Sequence, residues 1–106
     1  MLTFMITEDE VRTALKDVKD PELGHNIVDL GLIYQVAVDE LNNIIITYSL
    51  TSPACPEGAT IEKNMRDRLN LIKGVKHVKT ELTFTPAWTM ERMSEELRIE
   101  FGLMGI

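Results

Sequence analysis

A chain of 106 residues, 44% hydrophobic and 26% charged, has the composition of a soluble globular domain, and no shift in composition divides it, so residues 1–106 are read as a single domain. A net charge of −6 and a pI near 4.8 repel phosphate backbones and anionic lipid, which sets aside nucleic acid and membrane as partners. One cysteine excludes an internal disulfide, fits a reducing cytoplasm and leaves the chain unable to build a full thiolate metal site alone.

The apolar start Met1 to Ile6 is short, lacks a basic flank and runs into Glu8, Asp9 and Glu10, so it is not read as a signal peptide. No apolar run approaches the ~18 residues of a membrane span. Thr7 reads as a helix N-cap, with Glu10 completing a capping box and Ile6 and Val11 placed as a hydrophobic staple. Val11, Ala14, Leu15 and Val18 form an apolar stripe, so a first helix is predicted over 8–19, stopped by Pro21. From 20 to 31 the pattern is a loop punctuated by Pro21, Gly24, Asn26, Asp29 and Gly31. A strand follows over 32–38, then a polar hairpin at 39–43 and a second strand over 44–51. The consecutive isoleucines of the second strand predict a central place covered on both faces. Residues 52–58 form a tight loop in which Pro56 suits the first helical position, putting Cys55 at or next to the N-cap of a second helix. That helix carries Ile61, Met65, Leu69 and Ile72 on one face and is closed by Gly74. A third strand is predicted over 75–84, ended by Pro86. Thr89 opens a last helix with Met90, Met93, Leu97 and Phe101, stopped at Gly102. The order α-β-β-α-β-α describes an α+β domain, a three-stranded mixed sheet with helices on one side. The right-handed crossover rule makes the third strand parallel to the second, while its neighbour in the sheet stays open.

Cys55 carries the sharpest chemistry. The thiolate is the nucleophile and the metal ligand, and a helix N-terminus favours that anion through its unpaired amides and partial positive charge. The competing reading is a buried cysteine serving as a small apolar plug. Asp20-Pro21-Glu22 either sets an acidic group beside a thiol, as proton acceptor or hard metal ligand, or is a plain turn with solvated charges, the commoner case. Asp29, ahead of Gly31, reads as structural, with its carboxylate on nearby backbone amides. Thr51, just before the Cys55 loop, is placed to donate a hydroxyl to a thiolate or sulfide, although a strand-end threonine needs no such task. Neither His25 nor His77 has a zinc-ligand spacing to Cys55, and no Cys-x-x-Cys, His-Glu-x-x-His or Gly-x-Ser-x-Gly pattern occurs. Trp88 reads as a core anchor or a partner contact, and the apolar tail Leu103-Met104-Gly105-Ile106 as a docking segment or a contact surface.

Several features then fall in order: Asp20-Pro21-Glu22, the run Asn26 to Tyr34, Leu50-Thr51 through Cys55-Pro56, Gly74-Val75, Pro86, Trp88, Met93-Ser94 and Arg98. Each is weak alone. As an ordered set, spanning the first helix to Gly102, they resemble the metal–sulfur cluster assembly factor family. This family includes SufT-like proteins of the SUF system, PaaD-like proteins and an N-terminal domain of some P-loop cluster carriers. The resemblance implies a fold similar to the C-terminal scaffold domain of NifU-type proteins and a role in maturing iron–sulfur proteins. It implies no enzyme and no catalytic residue. It carries the family's cysteine onto Cys55 as metal ligand, its acidic loop onto Asp20 and Glu22, and its threonine onto Thr51, as cofactor-binding residues. With neither a P-loop nor a cysteine-rich C-terminus, the chain resembles the stand-alone SufT-like type, and no ATP hydrolysis is expected.

Iron–sulfur clusters normally have about four protein ligands, so one thiolate holds a cluster poorly. An iron–sulfur cluster or iron is therefore expected as a transient guest, with further ligands from a second copy in a homodimer, a client protein or a small thiol. The expected partners are iron–sulfur scaffold or carrier proteins and their clients. Two rival readings are a pure interaction module, with Cys55 inert, and a thiol enzyme with His77 or His25 as base. A compact RNA-binding domain is set aside on charge.

Overall fold

A computed structural model describes residues 5–104 of the protein, without the side chains of 103 and 104. The apolar tail and the first four residues, on which the signal-peptide reading falls, therefore lie outside the described residues or are described in backbone only.

The first helix, α1 (Glu8–Leu15), starts as its residues dictate: Thr7 Oγ1 accepts from the Glu10 amide at 3.1 Å, and three acidic residues face the positive end of the helix dipole. Its end corrects the expectation of a helix to 19. The amides of Lys16, Asp17 and Val18 each bond three residues back, which tightens the last turn. The chain is then captured by the returning loop. Ile27 donates to the Val18 carbonyl, Asp20 donates to His25, and Lys19 pairs with Asn26 as an isolated bridge. The helix is finished by this capture before Pro21 can act on it.

The sheet holds β1 (Ile33–Val38), β2 (Ile44–Tyr48) and β3 (Val78–Leu82) in the order β1-β2-β3. β1 and β2 are antiparallel, and β2 and β3 are parallel, with Ile44 opposite Val78 and Tyr48 opposite Leu82. The third strand thus pairs with the second. β2 is central, as its isoleucines predict, but only one of its faces is sealed. Ile44, Ile46 and Tyr48 are buried, whereas Ile45 is 38% exposed. The expectation of cover on both faces is corrected: α1 and α2 pack on each other and on the face bearing Ile44 and Ile46, and among the described residues no helix layer covers Ile45.

α2 (Gly58–Leu69) buries Ile61, Met65 and Leu69, with Ile72 just beyond it, as the spacing predicts. It ends at Asn70, whose side-chain amide donates to the Arg66 carbonyl at 2.9 Å, and Gly74 lies later, in the turn towards β3. The predicted last helix is divided. A 3-10 turn at Met90–Arg92 precedes α3 (Glu95–Met104), and Met93 between them is extended. The cause is a tertiary bond: the Ser94 amide donates to the Asp29 carbonyl at 2.7 Å, which pulls the chain out of helical register. Ser94 Oγ then accepts from the Leu97 amide at 3.3 Å, and Gly102 lies inside α3 rather than ending it. The architecture is α+β, and none of the described helices is long and apolar enough to cross a membrane.

Candidate functional site

The bridge between Lys19 and Asn26 closes residues 20–25 into a tight turn, with the Gly24 amide on the Asp20 carbonyl at 2.8 Å. Asp20 is only 1% exposed, and its Oδ1 accepts from the amides of Glu22 at 2.8 Å and Leu23 at 3.4 Å. Two amide donors offset the cost of burying a carboxylate. Asp20 is therefore spent inside its own turn, and Glu22 is the residue turned outward. Sequence reasoning assigned amide capture to Asp29, but the Asp29 carboxylate takes the Asn26 side-chain amide at 2.9 Å. The signal for Asp20 was available in Asp-Pro-Glu, where an aspartate bonds its own backbone two residues on.

A second loop leaves β2 and brings Cys55 to this turn. Ser52 organises it: its hydroxyl accepts from the Ala54 amide at 3.1 Å, and its carbonyl from the Cys55 amide at 3.1 Å. The Cys55 thiol donates to Glu22 Oε1 at 3.4 Å, across 33 residues of sequence. Thr51 is half-buried at the bend where this loop begins, and among the described residues no hydrogen bond joins it to Cys55. His25 lies on the acidic loop, but its Nε2 pairs with Glu100 Oε2 on α3 at 2.9 Å and its ring packs edge-on against Phe101. His77 is exposed near the start of β3, where its carbonyl accepts from Ile44.

The ionisation of Cys55 is opposite to the expectation. Partial burial pushes the thiol up, and the hydrogen bond to Glu22 and the charges of Asp20 and Glu22 push it further, against a backbone amide of Glu57 that favours the anion. The expected helix-start thiolate fails for two reasons. α2 begins at Gly58 with Glu57 as N-cap, so Cys55 lies outside the helix, and it is partly buried with Glu22 in contact and the charge of Asp20 nearby. At neutral pH the sulfur is a protonated thiol. Alkylation of Cys55 by iodoacetamide is accordingly expected to be slow at pH 7, with its inflection above that of an ordinary cysteine. Removing one negative charge with Glu22→Gln lowers the inflection and speeds alkylation at pH 8 severalfold. A thiol reacting at pH 7 as fast as a free thiolate contradicts this geometry.

Among the described residues no three His, Cys, Asp or Glu side chains come together as a metal-ligand group. With the Asp20 carboxylate engaged by amides, one thiol and one carboxylate face outward. Such a pair can hold a proton between them or supply two donors to a metal carried by another molecule.

A family model described as iron–sulfur cluster assembly protein matches residues 8–80, the span that holds the acidic loop and Cys55. An Fe-S protein maturation auxiliary factor of Porphyromonas gingivalis is 42% identical over 101 residues, covering 95% of this chain and 96% of that one. The Fe-S protein maturation auxiliary factor SufT of Staphylococcus aureus is 36% identical over 86 residues, covering 81% and 98%. A solved structure of a conserved hypothetical protein from Thermotoga maritima matches with a TM-score of 0.84 at 42% identity, covering 95% of this chain and 99% of that one. With the match extending over well more than half its length, this chain belongs to the iron–sulfur cluster assembly protein family.

Proposed function

We propose that the protein is a maturation factor for iron–sulfur proteins that meets an iron–sulfur cluster or iron as transient cargo at Cys55. The observation that carries this reading is the contact between the Cys55 thiol and Glu22 on an accessible turn. The maturation-factor names of close relatives support it. Without cargo, partial burial, helped by the hydrogen bond to Glu22 and the charges of Asp20 and Glu22, favours the protonated and poorly reactive sulfur. An approaching iron centre reverses that balance, because a metal favours the deprotonated ligand. The S–H bond breaks as the S–Fe bond forms, and the proton passes to the Glu22 carboxylate already in contact. Asp20 keeps Glu22 aimed at the sulfur throughout. The negative potential that disfavours a bare thiolate thus favours a cationic guest, and the site is discharged again when the guest leaves.

Two outward donors fall short of the about four that a cluster requires, so the remaining ligands come from a carrier, a client or a second copy of the chain. The protein acts stoichiometrically in this scheme, passing cargo on rather than turning over a substrate, and a reducing compartment suits its free thiol. The test is anaerobic reconstitution with ferrous iron and sulfide, followed by absorbance spectroscopy and sizing. The wild type is expected to develop the broad visible absorption of thiolate-bound iron–sulfur species, largely lost on gel filtration. Cys55→Ala should stay colourless. Equal spectra from the two proteins would reject the reading.

A further inference from the structure

β3 is an edge strand of the sheet, and its backbone tells which of its groups face outward. In the parallel ladder the Ile44 amide donates to the His77 carbonyl at 2.8 Å, and the Thr83 amide to the Tyr48 carbonyl at 2.8 Å. Between these two bonds the alternation of the strand turns the amides and carbonyls of Lys79 and Glu81 to β2, and those of Val78, Thr80 and Leu82 away from it. Among the described residues no backbone group bonds to these three. Past Thr83 the chain heads for β1 at the far edge, where the Tyr34 hydroxyl donates to the Pro86 carbonyl at 2.8 Å. A bare row of donors and acceptors is a template for another strand.

The side chains decide which strand fits. Thr80 lies on the helix side, where its hydroxyl donates to Glu62 of α2 at 3.3 Å, with Val78 and the 47% exposed Leu82 on the same face. Lys79 and Glu81 lie on the open side, opposite Ile45 and Thr47. Their charged ends are 3.7 Å apart on side chains 68% and 51% exposed, a contact of little strength that leaves both free for other partners. Charges on an edge strand commonly keep it single. In β3 they are self-complementary. If a second β3 lies antiparallel with Thr80 against Thr80, Val78 falls against Leu82, and each of these pairs can exchange both backbone bonds. Lys79 then stands opposite Glu81, and Glu81 opposite Lys79, at the intervening positions where side chains approach most closely. A slide of two residues sets Lys79 against Lys79 or Glu81 against Glu81, which is destabilising. A slide of one residue opposes outward groups with groups already bonded to β2. One register satisfies both backbone and charge.

We propose that β3 pairs antiparallel with β3 of a second copy of this chain, about a two-fold axis at Thr80, which joins the two sheets into one. The helices then lie on one side of the joint sheet, where Glu62 and Arg66, 3.7 Å apart, bring one charge of each sign to the seam from each copy. The loops bearing Cys55 leave from the ends of β2 beside Leu82, and so depart at opposite ends of the joint sheet. On the reading that Cys55 receives cargo, a copy docked in this way does not complete the ligand set, which falls to a carrier or a client. The pairing itself does not depend on that reading.

The test follows the full chain, reduced and without metal, by sedimentation equilibrium and amide hydrogen exchange from micromolar to millimolar concentration. A concentration-dependent dimer is expected. The amides of Val78, Thr80 and Leu82 should exchange more slowly as it forms, while those of Lys79 and Glu81, already bonded to β2, stay as they are. Lys79→Glu and Glu81→Lys should each weaken the dimer on the order of tenfold, although they move the net charge in opposite directions. Mixing these two variants should restore pairing as a heterodimer, and the double variant carrying both changes, with the net charge of the wild type, should dimerise as the wild type does. Cys55→Ser should also dimerise normally, so that pairing and cargo are judged apart: a chain that pairs but takes no cargo removes the cargo reading alone. A monomer at every concentration, single reversals without effect, or slowed exchange away from β3 would overturn the proposal.

Discussion

Cys55→Ser is expected to abolish support of iron–sulfur protein maturation in cells lacking the native protein, while the variant folds as the wild type does. The replacement costs little structurally. Cys55 is partly buried at the border of the core, and a serine hydroxyl can donate to Glu22 in its place, so a loss of about 1 kcal/mol is the scale to expect. Chemically the change is complete, because an alcohol does not deprotonate at neutral pH to give iron the soft anionic ligand that a thiol does. Activities of cluster-dependent enzymes in cell extracts read the function, and a thermal melt of the purified variant reads the fold. Loss of activity with a near-native melt places the effect on the sulfur. Full complementation by Cys55→Ser would remove the cysteine from the mechanism.

The largest stability effect is expected at Gly31, and a second glycine supplies the control. Gly31 and Gly24 share the left-handed backbone, with φ of 76° and 74°. A Cβ on Gly24 meets nothing within 4 Å, so Gly24→Ala costs only the conformational strain, about 1 kcal/mol. A Cβ on Gly31 stands 2.0 Å from the Arg92 carbonyl oxygen and 2.5 Å from its carbon. Arg92 has nowhere to retreat. It sits in the 3-10 turn, its guanidinium lies 4.3 Å over the Tyr34 ring, and the segment on either side is tied back by Trp88 Nε1 on the Leu30 carbonyl at 2.7 Å and by Ser94 on Asp29. Gly31→Ala should therefore cost about 3 kcal/mol or more, a large part of the ~5–15 kcal/mol that holds a domain together. Urea denaturation of the two variants side by side measures the difference. Equal costs would show that the approach of Arg92 to Gly31 does not constrain the native state.

The same two loops show what was legible before the fold was seen. Gly31 was read as loop punctuation, and Trp88 as a core anchor or a partner contact, because such local signatures do not depend on distant neighbours. The helix stripes of Val11, Leu15, Ile61, Met65 and Leu69, the central place of β2 and the parallel run of β3 were legible for the same reason. They follow from side-chain spacing and chain handedness. Cys55, Asp20 and Glu22 were singled out in the sequence, and the fold brings all three to one corner.

What failed was what depends on residues far apart in the chain. The C-terminal end of α1 and the start of α3 are decided by Ile27 bonding Val18 and by Ser94 bonding Asp29, contacts that no local pattern announces. The charge of the Cys55 sulfur was misread because Pro56 suggested a helix start, while the helix begins at Gly58, the fold partly buries the thiol, and the carboxylate in contact with it comes from a turn 33 residues away. By itself the sequence determined most of the elements, the apolar stripes of α1 and α2 and the candidates for the site, since periodicity and turn chemistry act over a few residues. Only the tertiary structure decided which aspartate serves the turn, which glutamate meets the thiol and whether that thiol keeps its proton. Burial and Coulomb interaction act through space, and their partners are chosen by the fold.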